Sequence, residues 1–296
     1  MASKKRLLFF VNPKAGTSGR ALGPDQVQTR LGKGFTIDWH YWAKGVDGTA
    51  LIRRYLDRDH YHRVVAVGGD GTVNQVAAAL IHSPTPLAIV PRGSGNGLAR
   101  HLGIPLDVPG ALDLAARGHA ATIDTARIGL HPFVCTAGVG FDAHIGHLFD
   151  SAPRRGFVTY ARLGLRELHT YRPRPYDLLV DGRPLTVQAY LVTFGNAAQW
   201  GNDAHIVPLA DIRDGLLHVS IIQPFNRLYT PILIARLFNR TLHHCRHVRT
   251  LAGRSLRIRP HQPGYFHFDG EPRAMRGELG VQIEPASLNV IKPPVS

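Results

Sequence analysis

The sequence of 296 residues has little cysteine, no long apolar run and few acidic residues. Its cysteines are Cys135 and Cys245, which excludes a framework of several disulfides and fits a reducing, cytoplasmic setting. No apolar run approaches the roughly 20 residues that a spanning helix needs, so we expect no transmembrane segment. The basic residues 4–6 precede only a short apolar stretch, 7–11, which predicts a first strand rather than a signal peptide.

The shortage of acidic residues leaves a strongly basic chain. Lysine and arginine number 35 against 21 aspartates and glutamates, a formal net charge of +14. Such a charge attracts polyanions: nucleic acid, an anionic membrane or a nucleotide. The sequence has no RNA-recognition or zinc-finger signature, so nucleic acid is not an expected partner. We expect peripheral, salt-sensitive contact with an anionic membrane surface.

The rest of the chain is organised around residues 63–80. Val64–Val67 is apolar on both faces, as in a buried strand of a parallel sheet, and Gly68-Gly69-Asp70-Gly71-Thr72 follows. Apolar residues then recur at helical spacing, so the segment predicts a strand, a glycine turn and a helix. This geometry suits phosphate. Asp70 either caps a helix or organises a metal or hydroxyl beside the phosphate.

Two further glycine loops follow apolar strands. Residues 6–11 predict a strand that leads into loop 12–20, and 87–90 predict one that leads into loop 91–97 and a short helix. Three such units predict an α/β domain with a parallel sheet, whose ligands gather at the carboxyl ends of the strands. All three loops are expected there, with Lys14, Arg20 and Arg92 as candidate cations.

Beyond residue 125 the pattern changes to short alternating segments, which predict an antiparallel β domain. The predicted strands are 132–136, 176–181, 186–194, 216–222, 255–260 and 265–268. Helices are predicted at 157–170 and 231–242; a core position is expected for the second, and a lipid-facing one is the alternative. The predicted domains are 1–125 and 126–296, with the last strand able to return to the first domain.

Several motifs occur in an order that resembles the diacylglycerol kinase catalytic family, bacterial lipid kinases similar to sphingosine and ceramide kinases. They lie at residues 11–16, 68–72, 91–96, 123–124, 138–142, 195–196, 208–217 and 269–271. The glycine motif alone also occurs in NAD kinases, so the ordered set carries the resemblance. It implies a NAD-kinase-like α/β domain followed by an antiparallel β-sandwich.

The resemblance also implies ATP, Mg²⁺ and a set of site residues. ATP is expected at Asn12, Pro13, Lys14, Ala15, Gly16, Gly68, Gly69, Asp70, Gly71, Thr72, Val73, Asn74 and Ser94. The catalytic carboxylates would be Asp269, Glu271 and Asp70, for proton acceptance or for holding the magnesium of the nucleotide. Asp142 would face the lipid head group. A structural magnesium is implied near Asp211, Asp214 and the Leu216 carbonyl.

Departures from the family pattern leave the substrate open. Ser94 stands where threonine is usual, Gly97 where aspartate is usual and Gln75 where glutamate is usual. Diacylglycerol is the first expected substrate and a sphingoid-type alcohol the second. An NAD kinase and a catalytically silent nucleotide- or lipid-binding protein are the rival functions. The sequence also leaves open whether the chain forms a homodimer.

Overall fold

The computed structural model describes residues 4–16, 22–43, 45–150 and 157–294. The chain forms two compact units. Unit 1 contains the chain up to Ile123 and again from Ala286 onward, and unit 2 is Asp124–Pro285. The chain passes from one unit to the other within strands β5 (His119–Ile128) and β16 (Leu279–Lys292).

Unit 1 is built on a parallel sheet. Its strands are β1 (Lys5–Val11), β2 (Phe35–Tyr41), β3 (Arg63–Gly68) and β4 (Leu87–Pro91), in the order β2-β1-β3-β4. The end of β16 extends this sheet, since Val290 pairs in parallel with Leu87. Every residue of β3 and β4 is buried, which explains why both strands are apolar on both faces. The predicted parallel sheet is confirmed.

Helices follow the strands of unit 1. They are α1 (Pro24–Leu31), α2 (Gly48–Arg58), α3 (Asp70–Leu80), α4 (Gly97–His101) and α5 (Val108–Arg117). The Asp47 carboxylate accepts the Ala50 N–H at the start of α2, and Asp107 accepts the Gly110 N–H at the start of α5. By contrast, α3 begins after Gly69, which has no side chain to cap it.

Unit 2 is an antiparallel β-sandwich, as expected. One sheet contains β7 (Thr136–Gly140), β10 (Leu191–Gly195), β11 (Leu217–Ile222), β12 (Val248–Gly253), β14 (Gly264–Phe268) and β15 (Glu271–Met275), in the order β12-β11-β10-β7-β14-β15. The other contains β8 (Arg174–Val180), β9 (Arg183–Ala189), β13 (Ser255–Pro260), the first part of β16 and β5 with its hairpin partner β6 (His131–Phe133). Phe194 and Phe266 from the first sheet and Leu178 and Ile258 from the second belong to one apolar core.

Three helices accompany the sandwich: α6 (Phe141–Asp150), α7 (Phe157–Glu167) and α8 (Thr230–Phe238). A 3-10 turn, Arg227–Tyr229, leads directly into α8. Within the described ranges, no helix is long and apolar enough to span a bilayer.

Three predictions about unit 2 were wrong in detail. The segment 132–136 is not one strand, because β6 ends at Phe133 and β7 begins at Thr136. The segment 186–194 is two strands, β9 and β10, which belong to different sheets; at Tyr190 between them, the backbone bonds to Phe141 and Ile222. An alternating pattern cannot reveal such a change of sheet. The predicted core helix 231–242 ends at Phe238, and Leu233 is its one buried side chain. Leu237 packs against the same apolar cluster but is only partly buried, and Ile232, Ile234 and Phe238 are exposed.

Candidate functional site

The three glycine loops of unit 1 meet where β1, β3 and β4 end. Backbone hydrogen bonds join them: the Asn12 N–H donates to the Val67 carbonyl at 2.9 Å, and the Arg92 N–H donates to the Gly68 carbonyl at 2.8 Å. These bonds continue the sheet ladder by one residue past each strand. The strand order therefore fixes the relative positions of the loops.

The Asp70 carboxylate connects the second loop to the third. Its Oδ2 accepts the Asn96 N–H at 3.0 Å, and its Oδ1 accepts the Gly97 N–H at 2.7 Å. These donors lie at the start of α4, where helical N–H groups have no partner within the helix. Asp70 thus caps a helix, which was one of the two expected interpretations. The capped helix is α4, although Asp70 itself lies in the first turn of α3.

Close backbone packing explains two of the glycines. A Cβ built on Gly93 would lie 2.6 Å from the Gly69 Cα, which leaves no room for a side chain there, and one built on Gly69 would lie 3.1 Å from the Gly93 Cα, which is a tight contact. Asn96 adopts a left-handed conformation with φ 51°, which asparagine tolerates well. Its side chain accepts the Gly93 N–H and donates to the Gly93 carbonyl, both at 2.8 Å.

Asn12 organises the first loop and links it to α3. Its Oδ1 accepts the Lys14 N–H at 3.0 Å, and its Nδ2 donates to the Thr72 hydroxyl at 3.4 Å. The Arg92 guanidinium lies against Gly16, because a Cβ built there would be 2.7 Å from an Arg92 nitrogen. Gly16 has φ +111°, a conformation that favours glycine.

The residues expected to bind ATP therefore surround the first turn of α3. Thr72, Val73 and Asn74 are buried, whereas Lys14 and Ser94 are exposed. Arg20 lies outside the described residues. An uncapped helix start beside Lys14 and Arg92 favours an anion, because helix N-termini present N–H donors and a partial positive charge.

In unit 2, Asp269 and Gly270 form the two-residue turn between β14 and β15. Their φ angles are +44° and +86°, and Phe268 pairs with Glu271 across the turn, as in a type I′ hairpin. The Asp269 carboxylate also accepts the N–H groups of Val134, Cys135 and Thr136 at 2.8 to 3.0 Å. Asp269 thus fastens the hairpin to the start of β7.

Glu271 is placed differently from Asp269. It begins β15 with an exposed side chain, and its nearest charged partner is Arg273, 3.9 Å away. An exposed ion pair at this distance contributes little stability. Of the two carboxylates predicted at this hairpin, Asp269 accepts backbone N–H groups, whereas Glu271 accepts none from the part of the chain that the structure describes.

Asp142, the predicted head-group residue, lies at the start of α6 and is only 4% exposed. Its Oδ2 accepts the Thr193 hydroxyl at 3.1 Å and lies 3.0 Å from His267 Nε2. His267 is equally buried, and its Nδ1 has no partner among the described residues. Burial raises the pKa of nearby Tyr171, and the charge of Asp142 adds to this shift while Arg174 opposes it.

The predicted magnesium residues share one turn of unit 2. The Asp214 N–H donates to the Asp211 carbonyl at 3.4 Å, and Asp214 Oδ2 lies 2.7 Å from His218 Nε2. Two carboxylates and the Leu216 carbonyl are the hard oxygen donors that magnesium prefers, so the donor set fits in kind. The described residues contain no cluster of three His, Cys, Asp or Glu side chains that would hold a metal. The assignment stays a prediction.

Several residues that bond to the predicted site residues were not themselves predicted in these roles. Asn96 could have been noticed, because asparagine among glycines often takes a left-handed conformation. Thr193, His218 and His267 carry no such local signal, since their roles depend on contacts with residues distant in the chain or across a turn.

The fold and the loops together define a class. A parallel α/β unit with three glycine loops is combined with an antiparallel β-sandwich, and two family models match these parts. Residues 6–128 match the diacylglycerol kinase catalytic domain, and residues 135–292 match the YegS C-terminal NAD kinase beta sandwich-like domain. The chain belongs to the diacylglycerol kinase family of lipid kinases.

Individual relatives agree with this assignment. A diacylglycerol kinase of Mycobacterium tuberculosis is 31% identical over 78% of this chain and 76% of its own length. A probable lipid kinase YegS-like of Klebsiella pneumoniae is 32% identical over 87% of both chains. An uncharacterized protein of Synechocystis is 30% identical over 78% of this chain, which spans 54% of that protein.

Among solved structures, a putative diacylglycerol kinase from Bacillus anthracis has the same fold. It superposes with a TM-score of 0.79 over 99% of both chains, at 20% sequence identity. At this identity the likeness concerns the fold, and it covers both units.

The different settings of the two hairpin carboxylates lead to a prediction about stability. Asp269→Asn should lower the free energy of unfolding by about 1 to 3 kcal/mol, because an amide nitrogen would face N–H donors. Glu271→Gln should stay within about 0.5 kcal/mol of the parent, as exposed substitutions usually do. Denaturant unfolding of both variants measures the difference. Equal stability of Asp269→Asn and the parent would contradict the bonding role of Asp269.

Proposed function

We propose that the protein is an ATP-dependent lipid kinase that phosphorylates the hydroxyl of diacylglycerol and forms phosphatidic acid. The observation that carries the proposal is the group of three loops that Asn12, Gly69 and Asp70 hold together in unit 1. Membership of the family supports ATP as the phosphate donor. We place the reaction in the cytoplasm, with reversible binding to an anionic membrane that the net charge of +14 favours.

The phosphates of ATP fit the first turn of α3. Gly69 and Gly71 leave the backbone accessible there, so N–H groups approach the phosphate oxygens without a side chain between them. Lys14 and Arg92 supply positive charge at the same edge of the sheet. Magnesium enters as part of the nucleotide complex and neutralises charge on the transferred group.

The lipid fits unit 2. An apolar cavity of about 160 Å³ lies beside α8. Its walls include Leu168, Tyr190, Trp200, Phe225, Leu233 and Leu237. Such a surface takes up part of an acyl chain, because burying methylene groups is favourable. Asp142 remains the candidate residue for contact with the lipid head group. Its carboxylate is held in place by Thr193 and His267.

A lipid hydroxyl must lose its proton as the bond to phosphorus forms, so the reaction needs a carboxylate acceptor. Asp269 is the weaker of the hairpin candidates, because its oxygens accept three backbone N–H groups. We assign proton acceptance to Glu271 and a supporting role to Asp269. Asp70 is the alternative acceptor, although its oxygens bond to the start of α4.

A sphingoid-type alcohol is the second candidate substrate. The specific observation is the loop Ser94-Gly95-Asn96-Gly97, which resembles the sphingosine kinase loop more than the bacterial diacylglycerol kinase loop. Gly97 donates its backbone N–H to Asp70. Because glycine has no side chain, this position lacks the second carboxylate of the bacterial diacylglycerol kinase loop.

The function is tested by incubating the purified protein with labelled ATP and one acceptor at a time. The acceptors are diacylglycerol or sphingosine in mixed micelles, and NAD in solution. We expect labelled phosphatidic acid, and a loss of about a hundredfold or more in Glu271→Gln if it removes the proton acceptor. Glu278→Gln, another exposed carboxylate, is the control and should keep parental turnover. Transfer to NAD alone, or none to any acceptor, would overturn the proposal.

Nucleotide binding is tested separately at Gly71. Gly71→Ala should weaken ATP binding, since a Cβ beside the phosphates would keep the backbone away from them. The same change lies inside α3, where alanine is the better helix former, so stability should not fall. Gly164→Ala in α7, where nothing lies within 4 Å of the added Cβ, is the matched control. Calorimetric titration with ATP measures both, and parental affinity in Gly71→Ala would refute the phosphate-loop assignment.

A further inference from the structure

Helix α8 is apolar on the face that points to solvent. Leu228 in the preceding 3-10 turn is 86% exposed, and Ile232, Ile234 and Phe238 are 45%, 41% and 41% exposed. We call these four side chains the α8 ridge. Pro231 and Ala235, which are also exposed, add apolar surface to this face. A contiguous exposed apolar patch on a helix is the mark of an interaction surface, so the ridge calls for a further contact.

The surroundings of the ridge are basic. From residue 215 to residue 268 the sequence contains no aspartate or glutamate. Arg227, Arg236 and Arg240 lie in or beside α8, and no ion pair of the described residues involves any of the three. Arg240 is exposed, two residues beyond the last residue of the helix. Arg227 and Arg236 each donate one hydrogen bond to a backbone carbonyl, of His169 and of Thr241, and their other N–H groups remain available for an anion. Apolar side chains beside arginines that lack a carboxylate partner are the composition of a helix that lies in a membrane interface.

The charge decides between a membrane and a second copy of the chain. A symmetric dimer through the ridge would bring the same arginines of two copies together, and no carboxylate from this stretch would offset them. An anionic bilayer supplies the opposite charge over a wide area and an apolar layer beneath it. The ridge therefore fits a bilayer better than it fits itself.

The opposite side of α8 lines the apolar cavity of unit 2, through Leu233 and Leu237. Ile234 belongs to both, since it is part of the ridge and also of the cavity wall. One helix thus separates the exposed apolar surface from the cavity that the proposed function gives to the acyl chain.

We propose that the α8 ridge is the surface by which this protein docks on anionic lipid bilayers. The side chains of Leu228, Ile232 and Phe238 enter the headgroup region, and Arg227, Arg236 and Arg240 contact lipid phosphates. Docking does not require catalysis. That docking delivers lipid to the cavity beside α8 rests on the proposed function.

The test is co-sedimentation with phosphatidylcholine vesicles that contain or lack phosphatidylglycerol. The parent should bind the phosphatidylglycerol vesicles, and binding should weaken as salt rises. Leu228→Ser/Ile232→Ser/Phe238→Ser should bind about tenfold more weakly or worse, because three apolar side chains no longer enter the interface. Arg240→Gln should lose a smaller part of the binding. All four positions lie outside the cavity wall, so the variants should fold and keep activity on a short-chain diacylglycerol in detergent.

Two controls match the variants. Leu130→Ser changes a 92% exposed leucine of unit 2 that is remote in sequence from α8, and Arg183→Gln removes an exposed arginine of β9. Both should bind vesicles like the parent. Parental binding by the triple variant overturns the docking proposal and leaves the kinase untouched. A parent that forms dimers in sedimentation velocity, with a monomeric triple variant, would assign the ridge to a second copy. Ridge-dependent binding without phosphorylation of any lipid would instead overturn the proposed function.

Discussion

The arrangement of unit 1 depends on the bonds from the Asp70 carboxylate to the N–H groups of Asn96 and Gly97. The sheet brings three loops to one edge, but a glycine loop by itself has many accessible conformations. Asp70 removes this freedom for the third loop, because one carboxylate satisfies two helix-start donors at once. The third loop then stays packed against the second at the Gly69–Gly93 backbone contact, directly beside the start of α3.

Unit 2 uses a carboxylate in the same way. Asp269 accepts three backbone N–H groups at the start of β7, so the hairpin that carries Glu271 is anchored to a neighbouring strand. Two of the three candidate catalytic carboxylates, Asp70 and Asp269, therefore accept hydrogen bonds from the backbone. A carboxylate in such a role positions its neighbours, and its replacement affects activity through geometry as well as through charge. Of these three carboxylates, Glu271 is the one that is exposed and has only a distant ion-pair partner, Arg273 at 3.9 Å. For this reason we propose it as the acceptor of the hydroxyl proton.

The sequence predicted those features that depend on neighbours along the chain. Apolar strands such as β3 and the helix after Gly69 follow from local periodicity, and the parallel sheet follows from their repetition. The order of motifs predicted the family and the β-sandwich. What the sequence could not predict depends on contacts between distant residues: Asp70 caps α4, His267 lies against Asp142, and the chain changes sheet at Tyr190. The apolar residues of 231–242 likewise predicted a helix that is either in the core or lipid-facing, without showing that Leu233 would be its one buried side chain.

The central claim is that Asp70 assembles the nucleotide site through its bonds to the third loop. The most direct measurement is the dissociation constant of ATP for Asp70→Asn, with Asp57→Asn as a control at an exposed carboxylate of α2. We predict at least about a tenfold loss of ATP affinity in Asp70→Asn, because the amide nitrogen, a donor, would replace one of the two oxygens that accept these N–H groups. If Asp70 acted only as the proton acceptor, turnover would fall while ATP affinity stayed parental. Parental ATP affinity in Asp70→Asn would therefore contradict the claim.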